Sequence, residues 1–518
     1  MFSATTLVLV LVLFKVIYER WVTPLSEVPG KFWFSVSGLP MRYHMMRGNL
    51  PQVLLSMHAK YGRVVRISPQ RVSINDATMV KQVLSSHAYL KTPSYEAPRG
   101  MEPNVFSTRS PELSIERRKQ LGPSFSHKHL HQMEPRILHC GVHNVQRKLD
   151  SLLLKQQGDG QGSVTIQYYK WFSLVALDVI GVLGFGQQLN ALENEYHELV
   201  PLLTRIRIFN YLALAFPWLK CLPALLGSRL KTLSKLKLFS QSAIDARRGD
   251  ADSSTVDLLQ MMLDSGRADG NKRQSLSDPE MVSETILHLV AGVDTTSAGL
   301  TWTLSLLLYN PHIRHRLVAD IRRNFPVGST DAITYEDCRQ KLPYLSAVIS
   351  ESLRTLSPAP SILPRVVPTG GLRLGGYLLP AGSLVCPAIL PVHMNPAVFS
   401  SPASFNPDRF MGEDTPEKPN MLAFSTGVRA CLGRNLALLE MHVVLANLLR
   451  SYDIQLPPDI AKNEVAAKMS SVSTADLDHK QQSAGIVPDI PRKTQMAMTP
   501  ANPDRDCRVL ITRAVNMV

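Results

Sequence analysis

Cys431 lies in a glycine-rich segment, between Gly427 and Gly433, that leads into an apolar run typical of a helix. A thiolate can be a ligand to iron only where its negative charge is stabilised, and backbone N–H groups at a turn and at a helix N-terminus supply that stabilisation. Arg429, two residues before the cysteine, carries the fork of donors that suits a carboxylate. A buried structural cysteine is the alternative, but it would require neither the glycines nor the arginine. The spacing therefore favours a thiolate metal site.

A second motif, Ala291 to Thr296, places a glycine, an acid and two hydroxyls inside an apolar stretch. The segment Ser277-Asp-Pro-Glu280 is typical of a helix start, so the motif is predicted to lie within a long helix. Glycine costs about 1 kcal/mol relative to alanine inside a helix, so packing alone explains the motif poorly. An ordinary helix whose threonine bonds to a main-chain carbonyl is the alternative.

Two further groups of residues lie between the second motif and the cysteine segment. Glu351 and Arg354 are three residues apart and can pair on one helix face, although such pairs are common on protein surfaces. Arg409 follows, and then the segment from Phe424 to Gly433. This succession resembles the cytochrome P450 family, whose signature Phe-x-x-Gly-x-Arg-x-Cys-x-Gly is matched at every fixed position. The resemblance covers nearly the whole chain and implies a mainly α fold with small β-sheets and an N-terminal membrane anchor.

The resemblance implies a haem b cofactor, with the Cys431 thiolate as the axial ligand of its iron. The other cofactor-binding residues that it implies are Arg429, Arg118, Arg365, Phe424 and Gly433. Glycines 427 and 433 are expected to let the backbone come close to the sulfur and the porphyrin.

For the helix that carries the second motif, the resemblance implies catalytic roles. Thr295 would donate a hydrogen bond during oxygen activation, and Asp294 would help deliver protons for cleavage of the O–O bond. Ala291 and Gly292 would leave room for dioxygen.

Two further implications concern structure rather than catalysis. Glu351, Arg354 and Arg409 would form a network that braces the cysteine segment. Aligned on Phe125, the position at which the family commonly has Trp or His is Ser114, a departure that leaves one haem-propionate contact open.

The N-terminus is apolar from Leu7 to Phe14 and is interrupted by Lys15, which can reach the headgroups. We predict a membrane anchor over residues 1–22, a Pro-rich hinge over 23–30 and a haem-thiolate catalytic domain over 31–518. A cleaved signal peptide is the competing interpretation, but there is no basic region before the apolar stretch. The family resemblance implies the endoplasmic-reticulum membrane, with the catalytic domain in the cytosol.

The formal net charge of +14 fits several kinds of acidic partner. Basic residues are scattered and no nucleic-acid motif is present, so a nucleic-acid partner is not expected. No glycine-rich dinucleotide fingerprint follows a strand, so electrons must come from another protein. The resemblance implies NADPH-cytochrome P450 reductase, with cytochrome b5 as a second candidate.

The six cysteines are far apart and form no C-x-x-C pattern, which favours a reducing, cytosol-facing location. The alternating histidines His127, His129 and His131 could suggest a metal site, but an exposed polar turn is the favoured interpretation.

The rest of the sequence supports a coarse prediction of secondary structure. Residues 64–67 and 72–74 predict a hairpin, 130–355 mostly helices, and 360–390 short strands. Residues 461–487 are polar and predict an extended surface loop.

We expect a haem-thiolate monooxygenase that uses O₂ and electrons from NADPH, through a separate reductase. Its substrate is expected to be a small apolar secondary metabolite (a polyketide, a terpenoid or an alkaloid), because the segment from Lys60 to Pro69 resembles tailoring enzymes of filamentous fungi. Two other functions stay open: a haem-thiolate isomerase or dehydratase that needs no external electrons, and a haem-binding sensor or carrier. The pair Asp294 and Thr295 argues against both, since neither function needs a proton relay.

Overall fold

Long α-helices make up most of the fold, as the sequence predicts. The structure is a computed structural model that describes residues 4–97, 100–158, 162–216, 219, 223–249, 257–265, 275–412, 418–461 and 485–515. The predicted surface loop over 461–487 lies almost wholly outside the described residues.

The helices are numbered in chain order. Their bounds are α1 Ala4–Ile17, α2 Phe32–Val36, α3 Leu39–Arg47, α4 Leu50–Tyr61, α5 Ala77–Leu84, α6 Pro111–Leu121, α7 His127–Leu138, α8 Asn144–Gly158, α9 Tyr168–Phe185, α10 Leu199–Ala215, α11 Pro223–Gly249, α12 Leu258–Asp264, α13 Asp278–Tyr309, α14 Pro311–Asn324, α15 Tyr335–Lys341, α16 Pro343–Thr355, α17 Ile389–His393, α18 Arg434–Ser451 and α19 Pro503–Asp506. Short π-helical segments, Tyr18–Val22 and His139–His143, follow α1 and α7.

The strands are short and form small sheets at the edges of the helical core. Their bounds are β1 Val64–Ser68, β2 Arg71–Ile74, β3 Val164–Gln167, β4 Arg365–Val366, β5 Leu372–Leu374, β6 Tyr377–Leu379, β7 Leu384–Pro387, β8 Tyr452–Gln455, β9 Arg492–Thr494, β10 Met498–Pro500 and β11 Arg508–Arg513. Within the described residues the largest sheet has the order β1-β2-β7-β4, and β3-β11-β8, β5-β6 and β10-β9 form the others. The predicted hairpin is confirmed as the antiparallel pair β1-β2, which β7 joins in parallel.

Helix α13 is the central element of the fold. Its start is confirmed: Ser277 and Glu280 form a capping box, with a proline in the first turn. Its C-terminal half is buried on all sides, and the indole N–H of Trp302 donates to the carbonyl oxygen of Met498 at 2.9 Å. Helix α9 packs along α13. It is apolar and long enough to cross a membrane, but 78% of it is buried inside the protein, so it is a core helix.

The N-terminal segment lies against the catalytic domain. Helix α1 has 14 residues, fewer than the roughly 20 of a comfortable membrane span, and its apolar side chains are exposed. Within the predicted hinge, Leu25 and Val28 are buried in a cluster with residues of β1 and β2. Arg66 of β1 is 1% exposed and bonds to the Glu19 carboxylate at 3.0 Å. The hinge region is therefore packed onto the domain, and the anchor itself stays a prediction.

Candidate active site

The segment before Cys431 is a tight turn held by its own backbone. The Cys431 N–H donates to the Phe424 carbonyl at 2.8 Å, and α18 begins three residues later at Arg434. Gly427 has φ of +70°, and a Cβ there would lie 2.1 Å from the Leu84 carbonyl oxygen. The glycine is required because α5 ends against it. The close approach to the sulfur and the porphyrin that the sequence predicts stays a prediction.

Cys431 combines an accessible side chain with a crowded surrounding of protein atoms. Its side chain is accessible to solvent, whereas the other cysteines in the described part of the chain are buried. Surrounding protein atoms desolvate the thiolate and raise the pKa of Cys431, while the Gly433 N–H, Arg118 and Arg434 lower it. These donors supply the stabilisation that an anionic sulfur ligand needs.

Four cations gather beside this turn. Burial, followed by the charges of Arg365 and Arg118, lowers the pKa of Arg429 to about 10. Burial and the charges of the three arginines lower the pKa of Lys91 to about 6. Like charges raise each other's free energy, so this arrangement is unfavourable without a counter-charge.

In the described part of the chain these cations bond to main-chain carbonyls, and Arg365 also to the Tyr95 hydroxyl, but to no carboxylate. Arg429 donates to the Thr108 oxygen at 3.4 Å and the Ser110 oxygen at 3.2 Å. Arg118 donates to the Ala430 oxygen, and Lys91 to the Phe106 oxygen. The buried Arg118 Nε has no hydrogen-bond partner in the described residues.

This cation cluster (Lys91, Arg118, Arg365 and Arg429) fits the two propionates of a haem. The family motifs identify the three arginines of this cluster but not Lys91. No local motif marks this lysine; an isolated β-bridge between Lys91 and Arg365 brings it into the cluster. Ser114, at the position where the family commonly has Trp or His, is buried, and its Oγ has no partner among the described residues. It lies one helical turn before Arg118.

One face of α13 is open in the middle of the buried helix. Ala291 is exposed and Thr295 is partly exposed, whereas Val293 and Thr296 are buried. The Thr295 hydroxyl donates to the Ala291 carbonyl at 2.6 Å. Gly292 points elsewhere: a Cβ there would meet the Ile180 side chain of α9 at 3.3 Å. Gly292 therefore has a packing role against α9, and Ala291 lines the open face. The room for dioxygen stays a prediction.

Asp294 pairs with a residue that the sequence analysis did not identify. A nitrogen of the Arg207 guanidinium on α10 lies 3.6 Å from its carboxylate. Burial raises the pKa of Asp294, and the Arg207 charge opposes that effect. Arg207 is buried, and its Nε and NH1 make no hydrogen bond within the described residues. An arginine in an apolar helix was the signal that could have pointed to it.

The structure brings Glu351, Arg354 and Arg409 together in the core. Arg354 Nε donates to Glu351 at 2.7 Å, and Arg409 Nε donates to the same carboxylate at 3.1 Å. Arg354 also donates to the His393 carbonyl at 2.8 Å, and the His393 ring accepts the Leu422 N–H at 2.9 Å. Leu422 lies two residues before Phe424, so the network supports the start of the cysteine turn.

The histidines at positions 127, 129 and 131 belong to the first turns of α7 and not to a turn beyond a helix. No group of three or more His, Cys, Asp or Glu residues that could hold a metal ion occurs in the part of the chain that the structure describes. Cys431 offers a single sulfur ligand, which suits an iron whose other ligands come from a porphyrin.

Comparisons with known proteins identify the class. The family profile for cytochrome P450 matches residues 28–479. Cytochrome P450 monooxygenase helB1 of Aspergillus fumigatus is 31% identical over 507 residues, which cover 96% of this chain and 84% of that protein. Cytochrome P450 monooxygenase lcsI of Purpureocillium lilacinum is 30% identical over 460 residues, with coverage of 85% and 86%. The crystal structure of the cytochrome P450DA heme domain superposes with a TM-score of 0.74 at 18% identity and covers 94% of this chain and 98% of that one, a likeness of fold.

The chain belongs to the cytochrome P450 family. It is an oxidoreductase of the cytochrome P450 monooxygenase class, and the family implies a haem-thiolate iron cofactor.

Proposed function

We propose that this chain is a haem b monooxygenase that takes electrons from NADPH through a separate flavoprotein reductase and oxidises a small apolar metabolite. The observation that carries the proposal is the accessible Cys431 beside the cation cluster, whose members have no carboxylate partner in the described residues. A thiolate ligand together with two anionic propionates accounts for both features.

When bound, the haem supplies the activation of dioxygen. Cys431 would ligate the iron, and Lys91, Arg118, Arg365 and Arg429 would hold the propionates, with Phe424 and Gly433 shaping the turn. Asp294 has a raised pKa, so it takes up a proton at higher pH than an ordinary aspartate and can pass it on. The Thr295 hydroxyl donates its single proton to the Ala291 carbonyl, so it would act as a donor at the open face of α13 by exchanging that partner.

The substrate class and the partners are also part of the proposal. Curated relatives from several fungi are named cytochrome P450 monooxygenases, in keeping with oxidation of a polyketide, a terpenoid or an alkaloid in secondary metabolism. NADPH-cytochrome P450 reductase, with cytochrome b5 as a second donor, is the proposed source of electrons, and the net charge of +14 suits an acidic partner. The endoplasmic-reticulum membrane is the proposed location, with α1 as the anchor.

The function is tested with labelled dioxygen. Holoprotein supplied with NADPH, a microsomal-type reductase and ¹⁸O₂ is expected to add one labelled oxygen atom to a small apolar metabolite. The candidate metabolite is chosen from the pathway that the neighbouring biosynthetic genes encode, and mass spectrometry measures the added label. Thr295→Ala is expected to load haem and consume NADPH but to release several times more hydrogen peroxide per product, because the donor at the open face is gone.

Thr301→Ala is the matched control, since its hydroxyl also bonds to the carbonyl four residues earlier, at 2.7 Å, but in the buried part of α13. It should leave the peroxide yield near the wild-type value. Full conversion under nitrogen without NADPH, to a product of unchanged mass, would contradict the monooxygenase and favour the isomerase.

The N-terminal segment gives a second prediction. Removing residues 1–17 deletes α1 but keeps Glu19, whereas removing 1–22 also deletes the carboxylate that pairs with buried Arg66. Both truncated proteins should leave membranes more easily in sedimentation assays. Only the protein that lacks residues 1–22 should lose about 1–3 kcal/mol of unfolding free energy, because its Arg66 is left without the Glu19 carboxylate. Equal denaturant curves for the two would show that the pair is not stabilising.

A further inference from the structure

Three ionisable side chains follow one another along a single face of α13. Glu280, Glu284 and His288 are spaced by four residues, so they lie one above another, with about 6 Å between successive Cβ atoms. The same face continues to Ala291 and Thr295, the exposed and partly exposed residues of the open face. Glu280 is partly exposed in the first turn of the helix, whereas Glu284 and His288 are buried. This row (Glu280, Glu284 and His288) therefore leads from solvent to the open face of α13.

Both buried members of the row have polar atoms without a partner. Glu284 Oε1 accepts the Val105 N–H at 2.8 Å, but Glu284 Oε2 has no hydrogen-bond partner in the described residues. The same is true of both ring nitrogens of His288, within the same part of the chain. Buried polar groups without partners are unfavourable, so packing alone explains neither side chain. A proton relay, by contrast, needs atoms that are free to accept a proton and to donate one.

The surroundings of Glu284 keep its carboxyl group protonated at neutral pH. Burial raises the pKa of Glu284 to about 8, and the charge of Glu280 adds to this effect. The Val105 N–H and the Arg117 guanidinium of α6 lower the same pKa. Arg117 donates to the Glu280 carboxylate, and its Nε lies 3.8 Å from Glu284, beyond hydrogen-bond distance. Glu284 therefore has a proton to give at pH 7.

His288, the next member of the row, is neutral at the same pH. Burial lowers its pKa to about 4, and the Phe125 ring packs edge-on against the imidazole with 5.5 Å between the ring centroids. A neutral imidazole has one nitrogen that accepts a proton and one N–H that donates, so it can pass a proton on without keeping the charge. Asp294 is not part of the row, because it pairs with Arg207 of α10.

We propose that Glu284 and His288 form a second proton path to the haem site, with Glu280 as its entrance and separate from the Asp294 carboxylate. One proton leaves the Glu284 carboxyl for one nitrogen of His288, while the other nitrogen releases its proton to solvent at the open face. Glu284 then takes up a proton from solvent by way of Glu280, so the side chains return to their starting state after one proton has moved. The proposal rests on the proposed function, because the monooxygenase reaction consumes these protons.

Infrared spectroscopy of the holoprotein tests the path without turnover. We expect a protonated-carboxyl band at pH 7 that is absent in Glu284→Gln and that the wild type loses as the pH rises through about 8. His288→Phe is expected to shift this band to higher frequency, because the carboxyl no longer donates to the imidazole, directly or through solvent. Glu440→Gln is the matched control, since Glu440 of α18 is also buried and burial raises its pKa to about 8. Its replacement should remove a separate band and leave that of Glu284 in place.

NADPH oxidation shows whether the path delivers protons. In holoprotein that carries Asp294→Asn, supplied with a microsomal-type reductase and dioxygen, we expect NADPH oxidation to slow as the pH rises above about 8, because Glu284 then has no proton to give. Adding Glu284→Gln or His288→Phe is expected to lower the rate at pH 7 roughly tenfold. Adding Glu440→Gln should leave the rate near that of Asp294→Asn alone.

Equal NADPH oxidation by Asp294→Asn with and without His288→Phe would overturn the proposal. So would a carboxyl spectrum at pH 7 that Glu284→Gln does not change, or a Glu284 band that His288→Phe does not shift. If Glu284→Gln does not load haem, His288→Phe supplies both measurements. A wild-type protein that binds no haem, or that oxidises no NADPH with the reductase, would refute the proposed function instead, and the infrared test would still decide whether Glu284 and His288 are connected.

Discussion

Replacing Cys431 with alanine is expected to abolish the red-shifted absorption of the ferrous carbonyl haem that a thiolate ligand produces. The shift arises because an anionic sulfur donates charge through the iron, and alanine has no donor. No second cysteine in the described part of the chain can take its place, since those others are buried. We expect complete loss of the signal in reduced, carbon-monoxide-treated protein.

Cys140→Ala is the control for this experiment. Cys140 is buried in the π-helical segment between α7 and α8, and burial raises the pKa of its thiol to about 11, so it is inert. Its replacement should leave the spectrum intact. Retention of the thiolate spectrum by Cys431→Ala would show that the proximal ligand is another residue.

Glu351→Ala is expected to destabilise the protein by about 3–5 kcal/mol, a large share of the roughly 5–15 kcal/mol that holds a domain folded. The Arg354 and Glu351 side chains are completely buried, and Arg409 is nearly so. Removing the carboxylate would therefore leave two guanidinium groups buried without their acid partner. We expect little haem-loaded protein on purification and a much lower urea midpoint.

The chain contains a matched control for this change. Glu336 and Arg339 on α15 have the same spacing of three residues but are more than half exposed, with 3.8 Å between their charged atoms. Glu336→Ala should change the unfolding free energy by less than about 1 kcal/mol, the range of surface pairs. Similar losses from Glu351→Ala and Glu336→Ala would mean that burial of the network contributes little.

Local patterns in the sequence predicted the parts of the fold whose cause is local. The capping residues of α13, the spacing of Glu351 and Arg354, and the turn residues of the β1-β2 hairpin all specify structure within a few residues, and all three were confirmed. The mainly α fold with small sheets followed from the same patterns together with the family motifs.

The residues that were missed acquire their roles from contacts far along the chain. Lys91 becomes part of the cation cluster through its bridge to Arg365, and Arg207 reaches Asp294 from another helix. No motif near Lys91 indicates its contact, and the apolar helix around Arg207 marks that arginine as unusual without naming its partner. The Leu84 carbonyl, which requires the glycine at position 427, and the Ile180 side chain, which packs tightly against Gly292, are also distant in sequence.

The contact between Gly292 and Ile180 constrains how the chain can change over evolutionary time. A single methyl group at position 292 would press on the Ile180 side chain at 3.3 Å, in a core with little empty space. The side chains at positions 292 and 180 therefore occupy the same space, and selection acts on their combined volume. Among relatives, we expect them to covary: a lineage that acquires alanine at the position of Gly292 should carry a smaller residue at the position of Ile180.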